Sequence, residues 1–299
     1  MTLDVIIVGA GPAGLSAALI LGRCRRRVLM VDTGRPRNAS SRAMHGFLSR
    51  DGIDPRQLRE IARAQLEPYD TVAFEQAEAT KARRVRGGFE VRMADGRRLR
   101  CRKLLLATGV VDYVPDVDGL APLYGRSVFH CPYCDGWESR DQPLAVYSRT
   151  ANGVGLAVEL TVWSRDIVLC TDGSARLSDR HRARLKFHRI PWRPEKIARL
   201  EGKDGQLERV VFTDGKTLDR RALFFSTPQR QGSDLATQLG CGFTRKGAVS
   251  TGEYEATSIP GLYVAGDASR LVQLAIVAAA EGAQAAFAIN TSLIKEDLK

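Results

Sequence analysis

The feature that most constrains this chain is its opening segment, in which the apolar run LDVIIV (3–8) ends on Gly9-x-Gly11-x-x-Gly14. A short apolar run that stops at glycine reads as a buried parallel strand. The following GAGPAGLSAALILGR is rich in helix formers, and VLMV (28–31) supplies a second short strand that ends at Asp32. This strand–helix–strand unit has each part that dinucleotide binding needs. Gly9 permits the tight turn, Gly11 lets a diphosphate approach the backbone, and Gly14 lets helix and strand pack closely. Asp32 stands eighteen positions beyond Gly14 and can accept hydrogen bonds from a ribose. The phosphates would rest on the helix N-terminus, where N–H groups and the helix dipole favour anions. Purely structural glycines are the alternative, and the combination of strand, helix and acid argues against it.

The stretch from Val5 to Gly22 also bears a superficial likeness to a signal or membrane segment. It lacks a basic flank, and Gly9, Gly11, Pro12 and Gly14 would break a spanning helix. A cytoplasmic protein without a membrane element is therefore expected. Downstream, FEVRMADGRRLRCRKLLLATG reads as a hairpin turning at Asp95-Gly96, then a strand, Leu104–Ala107, entering Thr108-Gly109. Residues 115–143 carry Pro115, Pro122, Pro132 and Pro143 among several glycines and read as a linker or switch region. From Leu144 a weaker copy of the opening pattern begins: LAVY, an irregular turn, GLAVEL, then IVLC. LERVVFTDGKTL and ALFFSTP repeat the hairpin and strand, GLYVAGDAS gives another strand and turn, and Leu274–Asn290 gives an apolar, alanine-rich helix. The 299 residues suffice for about two domains at ~150 residues each. The expected class is α/β, with two Rossmann-like three-layer nucleotide-binding domains, the second inserted in the first. Residues 1–114 and 231–299 would form the outer domain and residues 115–230 the inner one.

Six cysteines are too few for a disulfide scaffold in a chain of this length. Cys24, Cys101, Cys170 and Cys241 stand alone, whereas Cys131 and Cys134 form a CxxC pair within His130-Cys131-Pro132-Tyr133-Cys134-Asp135-Gly136. Cysteines at this spacing can close a small disulfide ring, which in a cytosolic protein points to redox chemistry. Half a zinc site is the alternative. A structural site takes four ligands, and with neither a second CxxC nor an HxxxH in the sequence no metal is expected. Asp135 either exchanges a proton with a departing thiolate or forms the turn before Gly136.

In order and spacing, VIIVGAGPAGLSAA, LLLATG, HCPYCDG and TSIPGLYVAGDAS resemble the low-molecular-weight thioredoxin reductases, and the resemblance covers nearly the whole chain. It implies that the outer segments bind FAD, and that the inner segment carries a disulfide which the flavin reduces and which then reduces thioredoxin. By position it makes Cys134 the flavin-facing sulfur, Cys131 the one that attacks the protein substrate, and Asp135 the proton donor. It assigns FAD contacts to Gly9, Gly11, Pro12, Ala13 and Gly14, to Asp32, Thr33 and Asn38, and to Thr108 and Gly109. Asp267, in the pair Gly266-Asp267, would bind the ribityl or phosphate region. The helix start at Leu274, Ala275 and Ile276 would set N–H groups against the flavin edge where negative charge develops on reduction. A homodimer is also implied.

The second copy departs from that family's pattern. Its turn reads Tyr147-Ser148-Arg149-Thr150-Ala151-Asn152-Gly153, so Ser148 and Thr150 replace two glycines, and Thr150 sets a branched side chain where a diphosphate would touch the backbone. After Ile167–Cys170 comes Thr171-Asp172-Gly173, without the tandem arginines that would grip a 2′-phosphate. NADPH is therefore not expected. Asp172 leaves an NADH reading open beside the turn-forming one, and the missing glycines favour the turn. The segment from Asp32 to Asn38, with Met44-His45-Gly46-Phe47, is similar to a branch that includes ferredoxin-dependent flavin thioredoxin reductases and dithiol oxidases. The oxidases pass electrons to oxygen, and many carry His where this chain has Asp135. His45 is then a flavin neighbour or a structural histidine.

Charge adds a partner. Lys and Arg number 45 against 34 Asp and Glu, a net +11. The excess lies in residues 1–114 (21 basic, 12 acidic) and 115–230 (19 and 15), not in residues 231–299 (5 and 7). A basic surface suits nucleic acid, an anionic membrane or an acidic protein. No aromatic-interleaved basic motif is present, and Arg23, Arg25, Arg26 and Arg27 end the first helix, where cations suit the dipole, so nucleic acid is not expected. An acidic ferredoxin that reduces FAD directly, with thioredoxin as acceptor, explains both the basic surface and the missing glycines. An oxygen-using oxidase of small-molecule dithiols is the alternative, and a non-enzymatic binding module comes third.

Overall fold

The computed structural model describes residues 2–173, 176–226 and 228–299. Two compact units result: Met1–Ala39, Gly46–Val111 and Gln229–Lys299 form the first, Ser40–His45 and Asp112–Pro228 the second. The switch points lie two or three residues before the boundaries expected from sequence, and the hexapeptide Ser40–His45 belongs to the second unit rather than the first.

In the first unit β1 (Leu3–Val8), α1 (Pro12–Arg23) and β2 (Val28–Asp32) make the opening βαβ unit. Next come α2 (Pro55–Ala64), β3 (Val72–Gln76), the antiparallel run β4 (Ala79–Val85), β5 (Gly88–Met93) and β6 (Arg98–Leu106), then β7 (Val110–Asp112). The sheet order is β3-β2-β1-β6-β5-β4, with β1 parallel to both β2 and β6. β1 is apolar throughout because both its faces are covered. Val5 and Ile7 pack with α1, while Ile6 and Val8 point into the opposite cluster with Phe89, Val91 and Leu104.

The second unit repeats the plan on a smaller scale. β8 (Val128–Phe129), α3 (Pro132–Asp135), β9 (Leu144–Tyr147), α4 (Asn152–Glu159), β10 (Ile167–Cys170), α5 (Asp179–Phe187) and β11 (Trp192–Arg193) come in turn. An antiparallel sheet, β12 (Ile197–Lys203), β13 (Gln206–Phe212) and β14 (Thr217–Asp219), precedes β15 (Ala222–Phe225). Thr227, in the ALFFSTP run, lies outside the described residues. The parallel order is β11-β10-β9-β15-β8. Leu144 and Val146 face α4, whereas Ala145 and Tyr147 face the β12–β13 layer. Both hairpins turn on Asp-Gly: Gly96 and Gly215 stand at φ +90° and +82°, and Asp95 and Asp214 each accept the N–H two residues on.

The chain then returns to the first unit through β16 (Gln229–Gln231), which pairs with β7, followed by α6 (Leu235–Gln238), β17 (Leu262–Val264) beside β6, and α7 (Ala275–Asp297). Two expectations need correction. Residues 115–143 are not a linker: they supply β8 and α3, short elements hidden in a proline-rich run. α7 continues to Asp297, beyond the expected end at Asn290, because Leu293 is buried and Glu296 and Asp297 pair with Arg26, Arg102 and Lys103.

Candidate active site

The opening turn shows what each glycine does. Gly9 stands at φ +110°, and a Cβ there would lie 2.2 Å from the Ala107 carbonyl oxygen. A Cβ on Gly14 would lie 1.9 Å from the Gly9 oxygen. These two are demanded by backbone packed on backbone. At Gly11 a Cβ would meet nothing within 4 Å. Gly11 is the N-cap of α1, no side chain caps that helix, and Pro12 occupies its first position, where a missing N–H costs nothing. Open space before an uncapped helix N-terminus is a cradle for an anionic group.

Further segments converge on this cradle. Asp32 accepts the Ala10 N–H at 2.7 Å and the Gly34 N–H at 2.6 Å, which fixes its carboxylate beside the turn. Thr33 is exposed, and Asn38 accepts a hydrogen bond from Arg59 of α2 at 3.4 Å. Thr108 and Gly109 follow the Ala107 carbonyl that presses on Gly9, and Gly109 accepts the Gly232 N–H at 2.9 Å. Gly266 stands at φ +80°, and a Cβ there would lie 3.2 Å from that of Ala13. Asp267 pairs with Arg37 at 2.8 Å, and Arg37 also donates to Gln273 at 2.7 Å. Leu274 is the N-cap of α7 without a side-chain cap, so Ala275 and Ile276 begin a second open helix N-terminus.

Sequence reasoning missed the residues that hold this arrangement. Glu281 of α7 accepts the Gly266 N–H at 2.7 Å and pairs with Arg270 at 2.6 Å, and Arg270 in turn holds buried Glu255. Burial pushes both glutamates above the usual carboxylate range while Arg270 opposes it. One signal was visible, a lone acid inside an alanine-rich apolar helix. Arg37 gave none, because its partner Asp267 is 230 positions away.

The matching turn of the second unit is filled. Gly153 corresponds to Gly14 and keeps its packing role, since a Cβ there would lie 2.5 Å from that of Ser148. Ser148 and Thr150 stand where Gly9 and Gly11 stand in the first unit. Ser148 is 1% exposed, and its hydroxyl donates to the Thr150 carbonyl at 3.1 Å. Thr150 Oγ1 accepts the N–H of Asn152, the first residue of α4, at 3.3 Å. Asp172, at φ +50°, accepts hydrogen bonds from the Tyr147 hydroxyl at 3.1 Å and the Ile197 N–H at 2.8 Å. Its carboxylate ties β10 to β9 and β12, which is a structural use.

Cys131 and Cys134 form a disulfide with Cα atoms 5.3 Å apart, Cys131 being the N-cap of α3. Gly136 lets the helix seat on Trp163, since a Cβ there would lie 2.7 Å from that ring. Tyr133 and Trp137 are exposed beside the disulfide. Asp135, next to Cys134, has its carboxyl pushed up to about 7, first by burial and then by the charge of Glu138. A carboxyl that titrates near neutrality can both donate and accept protons there. Cys101 and Cys170 are buried and pushed up to about 12, and burial raises Cys241 as well, so these thiols are poor nucleophiles. His45 lies in the second unit, 3.6 Å from Glu138. No group of residues suited to hold a metal occurs among the described residues, and none of their helices is long and apolar enough to cross a membrane.

The sequence pattern described as pyridine nucleotide-disulphide oxidoreductase matches residues 3–282. The chain belongs to that family. Among solved structures, this oxidoreductase is similar to HlmI, with a TM-score of 0.95 and 37% identity over 99% of this chain and 94% of HlmI. An oxidoreductase from Agrobacterium tumefaciens gives a TM-score of 0.91 and 33% identity over 98% of this chain and 99% of its own. Thioredoxin reductase tcpT of Claviceps purpurea is 31% identical over 275 residues, 88% of this chain and 86% of tcpT. The present oxidoreductase is accordingly a flavin disulfide oxidoreductase of thioredoxin reductase type, and its family implies FAD. The cradle around Gly11 fits that cofactor: space for a diphosphate, two uncapped helix N-termini, a fixed ribose acceptor at Asp32 and a cation at Arg37.

Proposed function

We propose that this enzyme passes electrons from FAD to the Cys131–Cys134 disulfide and on to thioredoxin, and that an acidic protein of the ferredoxin type, not NADPH, reduces its flavin. The observation that carries the choice of donor is the filled second turn. Ser148 and Thr150 occupy the space a diphosphate needs, Thr150 satisfies a helix N–H that would bind it, and Asp172 is spent on Tyr147 and Ile197. A donor that gives single electrons directly to FAD needs no such turn, and a net charge of +11 favours an acidic one.

Bound FAD supplies the step between one-electron uptake and two-electron delivery to the disulfide. On the resemblance, Gly9, Gly11, Pro12, Ala13 and Gly14 receive the diphosphate, Asp32 the ribose, and Thr33, Asn38, Thr108, Gly109, Gly266 and Asp267 the rest of the cofactor towards the flavin. Leu274, Ala275 and Ile276 present N–H groups to the flavin edge. Cys134 takes electrons, Cys131 attacks the protein disulfide, and Asp135 supplies the proton. The outer unit is the FAD domain and the inner one a degenerate nucleotide domain that retains only the disulfide. A cytoplasmic homodimer completes the reading.

Anaerobic bleaching of the oxidised flavin band tests it, with NADPH, NADH and reduced ferredoxin offered separately. Bleaching by ferredoxin alone, reversed by oxidised thioredoxin, is the expected result. Rapid bleaching by NADPH overturns the choice of donor. Bleaching by small dithiols alone, with hydrogen peroxide formed in air and thioredoxin inert, makes the enzyme a dithiol oxidase instead.

A further inference from the structure

The segment that leads into α7 has little of its own to hold it. Arg270 to Leu274 form neither helix nor strand, and Leu271 and Val272 are exposed, so apolar burial does not fix its path. Polar side chains do. Arg270 ties the middle to Thr251, Glu255 and Glu281, and two further fastenings span the ends. Arg37 Nη1 joins Asp267, before the segment, to Gln273, near its close, at 2.8 and 2.7 Å. β16 makes the second fastening. Gln231 donates to the Ala268 carbonyl at 3.0 Å, while Gln229 and Gln273 exchange two amide hydrogen bonds of 2.9 Å each. Gln229 and Gln231 stand two positions apart and so share one face of the strand. β16 is itself paired with β7, which gives the clamp an anchor independent of the segment it holds.

We propose that Gln229, Gln231 and Gln273 are positioning residues that set the start of α7 against the flavin edge and thereby raise the reduction potential of bound FAD. This rests on the reading of Leu274, Ala275 and Ile276 as the N–H donors to that edge. Reduction by two electrons and one proton leaves one negative charge there, and N–H groups at an open helix start favour that charge. The gain depends on distance and angle, so the first turn of α7 must be held closely. Gly282, two turns further on, fixes the body of α7 against Ala13 of α1. The point where the helix begins depends on Gln273, the residue before its N-cap. Arg37 and Gln229 hold that residue from two different parts of the chain.

The potential of bound FAD, measured anaerobically against a reference dye, tests this, with FAD affinity and apoprotein denaturation followed beside it. Gln273→Leu removes the acceptor of Arg37 and the partner of Gln229. It is expected to weaken binding of reduced FAD ~10-fold relative to oxidised, which lowers a two-electron potential by about 30 mV. Gln229→Leu and Gln231→Leu should each act in the same direction by ~3-fold. The double variant of Gln229→Leu and Gln273→Leu should do no more than Gln273→Leu alone, because the two amides act as one unit. Gln229→Arg with Gln273→Glu rebuilds the pair as an ion pair without changing net charge, and should restore the potential. Equal weakening of oxidised and reduced FAD leaves the potential where it was, marks a purely structural clamp, and overturns the proposal. Ala275→Pro separates the proposal from the reading beneath it. Leu274 stands at φ −93° and ψ 141°, which a following proline accepts, and the first helical position tolerates proline. This variant keeps the clamps, removes one N–H and should lower the potential at least as far as Gln273→Leu. If it does so while the glutamine variants do not, only the positioning role falls. If it leaves the potential unmoved, the start of α7 does not serve the flavin edge, and reading and proposal fall together.

Discussion

Single residues divide here into those the fold demands and those a ligand demands, and the two kinds respond differently to substitution. Gly14→Ala sets a Cβ 1.9 Å from a backbone oxygen, so α1 must move from β1, and a loss of ~1–3 kcal/mol in chemical denaturation is expected. Gly11→Ser meets open space and gives α1 a favoured N-cap, so the apoprotein should melt no lower than wild type. Its FAD affinity should nevertheless fall at least ~10-fold by fluorescence titration, because the hydroxymethyl group takes the space a diphosphate needs. Asp135 carries a pH signature. Its carboxyl is raised, so the proton-donating form prevails below about 7 and is lost above it. Disulfide turnover limited by that proton should fall ~10-fold per pH unit on the alkaline side. Asp135→Asn should lower turnover by ~10²–10⁴-fold and abolish that slope. Steady-state rates from pH 5 to 9 check both.

At the level of elements, the site depends on how α7 lies against α1. Gly282 makes this contact possible, since a Cβ there would sit 2.0 Å from the Ala13 carbonyl oxygen. Glu281, the neighbouring residue, reaches the Gly266 N–H from the same turn of α7. Gly282→Val should therefore part the helices, cost ~1–3 kcal/mol or more, and displace the Gly266–Asp267 segment from the cradle. The expected readout is release of FAD at a temperature well below unfolding of the second unit, seen as flavin fluorescence rising before the far-ultraviolet signal changes. The second unit offers the contrast. Gly153 packs α4 against Ser148, just after β9, as Gly14 packs α1 against Gly9, just after β1, although Ser148 and Thr150 stand where the first unit has Gly9 and Gly11.

For the molecule as a whole, the net charge of +11 makes the proposed acidic donor testable by salt. Encounter with an acidic donor gains from long-range attraction that salt screens over ~10 Å at 0.1 M. Flavin reduction by ferredoxin should slow ~10-fold or more between 0.02 and 0.5 M salt, while reduction by uncharged dithiothreitol changes little. Stopped-flow traces at several ionic strengths decide it. Equal salt dependence for both reductants would count against an acidic protein donor.

The local order of this chain was legible because its signals are short-range. Glycines at fixed spacing after an apolar strand, Asp-Gly at both hairpins, and CxxC followed by Asp-Gly each need only neighbours in sequence to act. Those signals gave the α/β class, the repeated nucleotide-type pattern and the disulfide. Tertiary structure decided what depends on distant contacts. It brought Arg37 to Asp267, set Glu281 on Gly266, spent Asp172 on Tyr147 and Ile197, and extended α7 through pairs with Arg26 and Arg102. It also moved Ser40–His45 out of the unit their sequence neighbours build and set His45 against Glu138. A motif records the bond angles and turns of its own few residues. An ion pair across 230 positions forms only after the chain has folded, and no local pattern encodes it.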